Sequence, residues 1–233
     1  LGSVASKKSA STVSKKNCPK TLDDHIFFGL TLNDEQKEFR DAIWSNDYDI
    51  IFANAKAGTG KTLIAVATAK LLVEYGRFDK AHYIVSPVMN GINGYLPGSI
   101  TDKEMPYYMP LCDALAKLGD FPEKIIDPKS GFWITPSSHV YLRGINLENS
   151  VIIIDEAQNF YTDELKKVLT RVCSTTKVIV IGHSGQIDLV KNKENSGFVR
   201  YIEHFRECPR CKICELTVNY RGWISQHADL LEL

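Results

Sequence analysis

The mainly apolar run Asp49-Ile50-Ile51-Phe52-Ala53 leads into Ala55-Lys56-Ala57-Gly58-Thr59-Gly60-Lys61-Thr62, and that loop into the periodic Leu63-Ile64-Ala65-Val66-Ala67. A strand, a glycine loop and a helix therefore follow one another, in the order of a phosphate-binding loop. Gly58 and Gly60 let backbone amides turn inward toward a polyphosphate. Lys61 sets a point charge against its outer phosphates, and the Thr62 hydroxyl suits a magnesium ion. The usual pattern opens with glycine, whereas this chain has Ala55. That position must then take a backbone conformation open to a residue with a Cβ.

A second signal turns a nucleotide binder into a candidate hydrolase. Val151-Ile152-Ile153-Ile154 is uniformly apolar, as a strand covered on both faces must be, and it ends in Asp155-Glu156-Ala157-Gln158. Carboxylates at the carboxyl end of such a strand emerge where open parallel sheets bind ligands. Asp155 is thereby suited to hold Mg²⁺ together with Thr62, and Glu156 to orient or deprotonate an attacking water.

At 233 residues, with 44% hydrophobic and 24% charged side chains, the chain can bury one substantial core. No apolar segment reaches the roughly 18 residues that a membrane-spanning helix needs, and no apolar signal-peptide stretch stands near the start. The expectation is a cytoplasmic protein that makes no use of a membrane. Residues 1–20 carry five lysines and no acid, are rich in Ser and Ala, and read as a flexible basic tail ahead of a single domain over 21–233. The remainder holds 23 basic against 28 acidic side chains, which argues against a broad basic surface but leaves room for a local positive groove.

Three of the six cysteines lie in Cys208-Pro209-Arg210-Cys211-Lys212-Ile213-Cys214. That spacing is compatible with metal ligation, with His204 as a fourth ligand. Cys214 also begins the alternation Cys214, Leu216, Val218, which reads as core packing, and little or no zinc is expected.

Along the chain, Asn33 suits an N-cap for a helix carrying Phe39, Ile43 and Trp44 on its apolar side, and Gln36 suits either a capping box or the edge of adenine. A strand is expected over 81–85, a helix around 110–118 and a strand candidate over 132–135. Next come an amphipathic helix over 162–172 and a strand over 177–181, followed by Gly182-His183-Ser184-Gly185-Gln186, where Gln186 is placed to sense a terminal phosphate. A last strand over 212–218 runs into Asn219-Tyr220-Arg221-Gly222 and a final helix. Tyr95, Tyr107, Tyr108 and Trp133 offer either stacking faces or packing for the long segment 88–138. The alternation of strands and helices predicts a three-layer α/β fold with a mainly parallel sheet.

Taken in order, LNDEQ, AKAGTGKT, GYLPGS with PLCDAL, YLRG, IIIDEAQN, GHSGQIDL and NYRG resemble the motif series of PhoH-like ATPases, a family related to the motor lobe of superfamily 1 helicases. The resemblance covers most of residues 31–230 and implies a RecA-like P-loop NTPase domain using ATP and Mg²⁺. It implies Gln36 for adenine, Ala55 to Thr62 for the phosphates, Thr62 and Asp155 for the metal, and Lys61, Glu156, Gln186 and Arg221 for catalysis, with Arg221 as an arginine finger. It also implies RNA or single-stranded DNA as partner. Helicases of this class carry two such lobes and these motifs account for one, which points either to a homo-oligomer such as a hexameric ring, with Arg221 reaching a neighbouring site, or to a protein that does not unwind, with Arg221 serving its own. Alternatives are a slow ATP-switched interaction protein and a small-molecule kinase. His183 stands where the family usually has Asp, removing an acceptor and adding a proton-sensitive group.

Overall fold

A computed structural model describes residues 18–86, 100–125, 131–142, 147–185 and 196–228. Among these, six strands form one wholly parallel sheet: β1 (Ile50–Ala55), β2 (Lys80–Val85), β3 (Ile134–Ser138), β4 (Ser150–Ile154), β5 (Lys177–Gly182) and β6 (Cys211–Leu216), in spatial order β3-β2-β4-β5-β1-β6. The central strands are buried along nearly their whole length, as the unbroken Ile and Val runs require. β3 lies at the edge, where Pro136 is tolerated opposite Tyr83.

Period 2 sorts the strand side chains onto two faces. Ile51, Ala53, Tyr83, Ile153 and Ile179 face a layer of α1 (Asp34–Trp44), α2 (Lys61–Glu74) and α3 (Ile100–Lys117). Phe52, Ile84, Ile152, Ile154 and Val180 face α4 (Thr162–Leu169) and α5 (Gly197–Phe205). A short α6 (Trp223–Ala228) follows β6. The three-layer α/β architecture matches the expectation from sequence. Among the described residues no helix is long and apolar enough to cross a membrane.

α1 starts at a complete capping box: Asn33 Oδ1 accepts from Gln36 N at 2.8 Å, and Gln36 Oε1 accepts from Asn33 N at 3.0 Å. α3 begins ten residues before the expected 110, running through Pro106 and Pro110. Tyr107, Tyr108 and Trp133 pack rather than present open faces. Tyr108 is buried, Tyr107 and Trp133 rest against the core, and Trp133 Nε1 donates to Asp120 Oδ2 at 3.1 Å. Tyr95 lies outside the described residues. Residues 18–20, grouped with the tail on composition, lie against the body, where Pro19 O accepts from Trp44 Nε1 at 3.1 Å.

Because all strands run the same way, their carboxyl ends share one rim. The chain leaves β1 through α2 toward β2 on one side, while β5 returns through α5 to β6 on the other. The loop after β1 therefore sits at a change of winding direction, the position at which open parallel sheets bind ligands.

Candidate functional site

The loop between β1 and α2 sits at the centre of that rim. Gly58 and Gly60 have φ of +75° and +80°, left-handed values that side chains other than glycine rarely adopt. Ala55 has no such demand on it: it is the last residue of β1, buried and paired in register with Leu216, so a Cβ is accommodated there. Lys56 N continues that ladder to Leu216 O at 3.0 Å. α2 then begins at Lys61 with no acidic residue in its first turn. The unmatched amides and partial positive charge of its N-terminus are thus free to serve an external anion.

A cavity of about 590 Å³ opens over this loop, within the range typical of small-molecule sites. Its lining brings together Gln36, Ala57, Gly58, Gly60, Lys61, Thr62, Glu156 and Arg221. Sequence reasoning did not foresee the contributions of Leu30 and Leu32 ahead of α1, nor of Asp113 and Lys117 on α3. Asp113 and Lys117 lie one helical turn apart on one face, a spacing that carries no signal until the helix is known to flank α2.

Thr62 Oγ1 donates to Asp155 Oδ2 at 2.8 Å, joining the phosphate loop to the end of β4 across the intervening β5. Asp155 is fully buried. Burial, and then the neighbouring Glu156, push its carboxyl up from the ordinary range, against the opposing effects of Lys61, Tyr83 and Thr62. The Asp155 carboxylate and the Thr62 hydroxyl are oxygen donors of the kind a hard cation takes. Among the described residues no cluster of three or more His, Cys, Asp or Glu side chains could hold a metal ion. One or two carboxylates and a hydroxyl, with substrate phosphates completing the shell, is the donor set that suits Mg²⁺. With its proton committed to Asp155, the Thr62 oxygen keeps lone pairs for such an ion.

Glu156 has φ +50° and ψ +42°, an unusual left-handed backbone for a non-glycine residue and of the kind that clusters at functional sites. Its Oε1 lies 3.5 Å from Lys61 Nζ, and its Oε2 accepts from Gln158 Nε2 at 2.6 Å. Gln158 was quoted in the sequence motif without a role. Its Oε1 accepts from His183 N at 3.0 Å, so one buried amide ties Glu156 to the loop after β5. Gln186 lies outside the described residues.

Gln36 reaches the loop as well. While its Oε1 completes the α1 cap, its Nε2 donates to Thr59 O at 2.8 Å. The capping reading holds, and both amide atoms are engaged by backbone. Arg221 lies against its own chain's loop, its Cγ and Cδ covering Gly58, while Tyr220 N donates to Gly58 O at 2.9 Å. The structure thus puts Arg221 in the lining of its own chain's cavity. Cys214 is buried and Cys211 partly buried on β6, and Cys208 is exposed in the turn before the strand. Burial pushes the Cys211 and Cys214 thiols up to about 11 and about 12, as expected of packed thiols.

The PhoH-like protein family profile matches residues 30–221. The chain belongs to the PhoH-like family. It is 39% identical over 215 residues to a PhoH-like protein of Mycobacterium leprae, covering 90% of this chain and 61% of that one. It is 33% identical over 207 residues to protein PhoH of Escherichia coli K12, covering 82% of this chain and 57% of that one. The chain thus spans about three fifths of the length of these relatives. In fold it resembles the HK97 bacteriophage large terminase, with a TM-score of 0.53 at 13% identity, covering 85% of this chain and 42% of the terminase. The PhoH-like chain thus has a three-layer, RecA-like P-loop NTPase fold with a parallel sheet.

Proposed function

We propose that this PhoH-like chain is a magnesium-dependent ATPase whose turnover serves work on RNA or single-stranded DNA. The observation that carries the reading is the convergence of Lys61, Thr62 and Glu156 on one cavity at the N-terminus of α2, with buried Asp155 hydrogen-bonded behind Thr62. Lys61 and the first-turn amides bind the β and γ phosphates. Thr62 and Asp155 would hold Mg²⁺, which supplies charge neutralisation at the transferring phosphoryl group. Glu156, steadied by Gln158, orients the attacking water in line, and the Arg221 guanidinium stabilises charge in the transition state. Gln186, from the loop that Gln158 touches, senses the γ phosphate.

The nucleic-acid part rests on the helicase-like motif series and on the rim itself. Tyr141 follows β3, and Tyr220 and Trp223 follow β6, each at least half exposed at the carboxyl edge of the sheet. Of these, Tyr220 lines the phosphate-binding cavity, and an exposed ring there suits stacking of unpaired bases. A second copy of the chain, in closed form a hexameric ring, would supply the facing surface that a second lobe supplies in two-lobed motors. The test is ATP turnover measured with and without single-stranded RNA and DNA. Stimulation of at least about tenfold by either polymer is expected, and turnover indifferent to both would overturn the nucleic-acid part.

A further inference from the structure

Tyr83 belongs to none of the motifs discussed above, yet its phenol is spent on the most buried carboxylate of the site. It lies on β2 in register with Ile153 of β4, two residues before Asp155, and the ladder continues one step further as Asp155 N donates to Ile84 O at 3.0 Å. The ring is fully buried on the α2 and α3 face of the sheet, packed among core side chains. Phenylalanine would fill that space equally well, and a buried hydroxyl is destabilising unless it finds a partner. The hydroxyl has a partner: it donates to Asp155 Oδ2 at 2.6 Å, a short bond of the charge-assisted kind.

The bond has consequences for how Asp155 can meet a metal. Oδ2 receives two donors, Tyr83 at 2.6 Å and Thr62 at 2.8 Å, and Oδ1 receives Glu156 N at 2.8 Å. Three donors fix the carboxylate plane and leave Oδ2 no unshared direction. Thr62 belongs to the phosphate loop and Glu156 N to the backbone that carries the catalytic carboxylate. Tyr83 is the one of the three that comes from outside the nucleotide-binding elements. Remove its donor, and Oδ2 is held by Thr62 alone, a group that must itself face the metal.

We propose that Tyr83 is a positioning residue for the magnesium site: its buried hydroxyl locks Asp155 in the orientation that holds the Thr62 hydroxyl, and so sets the affinity for Mg²⁺. This deepens the ATPase reading and rests on it. Partners of this kind, one shell outside a metal, commonly change metal affinity by about tenfold or more when removed.

The experiment is an equilibrium titration with Mg²⁺ of fluorescent ATP-analogue binding, on the wild type and Tyr83→Phe, backed by Mn²⁺ binding followed by electron paramagnetic resonance. Tyr83→Phe should raise the half-saturating Mg²⁺ by about tenfold, with Mg²⁺-free binding of the analogue unchanged. Replacing Tyr83 by p-aminophenylalanine, which keeps a donor in the same place, should restore most of the difference. Superimposable titrations of wild type and Tyr83→Phe overturn the proposal. So does a collapse of the fold in Tyr83→Phe, a change that keeps the ring, because the hydroxyl would then be structural. A wild type whose analogue binding ignores Mg²⁺ altogether would instead overturn the ATPase reading beneath it.

Discussion

Arg221 fills the space that a side chain on Gly58 would need. A methyl group on Gly58 would stand 2.7 Å from Arg221 Cγ and 2.5 Å from Asn219 Oδ1, at a backbone φ of +75°. The first loop of the site and the last are therefore built against each other, and the space between them is closed to even one carbon.

Gly58→Ala is expected to break that fit. The left-handed backbone alone costs about 1 kcal/mol, and the overlap adds to it unless the 219–221 loop moves away. Nucleotide affinity should fall by at least about tenfold while the melting temperature drops by only a few degrees, because the core is untouched. Isothermal titration and a thermal melt on the same preparation check both halves.

Gln36 has two separable duties, and two substitutions divide them. Gln36→Glu keeps the acceptor for Asn33 N but sets a carboxylate against the carbonyl of Thr59, where the amide now donates. It should leave the melting temperature near that of the wild type and weaken ATP binding by about tenfold. Gln36→Ala should lose both the cap, worth about 1 kcal/mol, and the strap. If the amide also reads adenine, the preference for ATP over GTP narrows in both variants; competition binding between the two nucleotides measures it.

The strands β1, β4 and β5 were legible because burial on both faces leaves an uninterrupted apolar run with nothing else to explain it. α3 was not, since Pro106 and Pro110 read as breakers and hid its first turns, although packing on α2 carries the helix through them. β3 was placed two residues early because Pro136 argues against a strand everywhere except at an edge, and edges are invisible before the sheet is assembled. In the site, Lys61, Thr62, Asp155 and Glu156 were legible as loop and strand-end chemistry. Tyr83 and Gln158 were not, because each acts through a contact between elements that only the register of β2 with β4, or the approach of β5, creates.

His82 gives the fold an acid-sensitive term. It is buried beside Tyr83 on the opposite face, and both ring nitrogens lack a hydrogen-bond partner. Burial, and then Lys80, push its pKa from 6.5 down to about 4. The unfolded chain takes up a proton below about pH 6.5 and the folded chain does not, so this contribution is full above that value and is lost as the pH falls toward 4. Between about pH 7 and pH 5 it should remove about 2 kcal/mol of stability. Denaturant unfolding of His82→Phe at both values should show that part of the loss gone.

Arg221 in its own chain's cavity predicts the outcome of a mixing experiment. Lys61→Ala and Arg221→Ala preparations, each impaired, should recover no turnover when combined, because every intact phosphate loop would belong to a chain that has lost its own arginine. Recovery toward about a quarter of wild-type activity would show that the arginine works across an interface between copies.

The most direct test of the central claim is the turnover of Glu156→Gln beside its nucleotide affinity. The amide keeps the shape of the side chain but is a poor base, so ATP should bind within about threefold of the wild type while hydrolysis falls by about a hundredfold or more. Lys61→Ala should lose both. Wild-type turnover in Glu156→Gln would contradict the account, since no other described carboxylate at this rim stands beside both Lys61 and the Thr62–Asp155 pair.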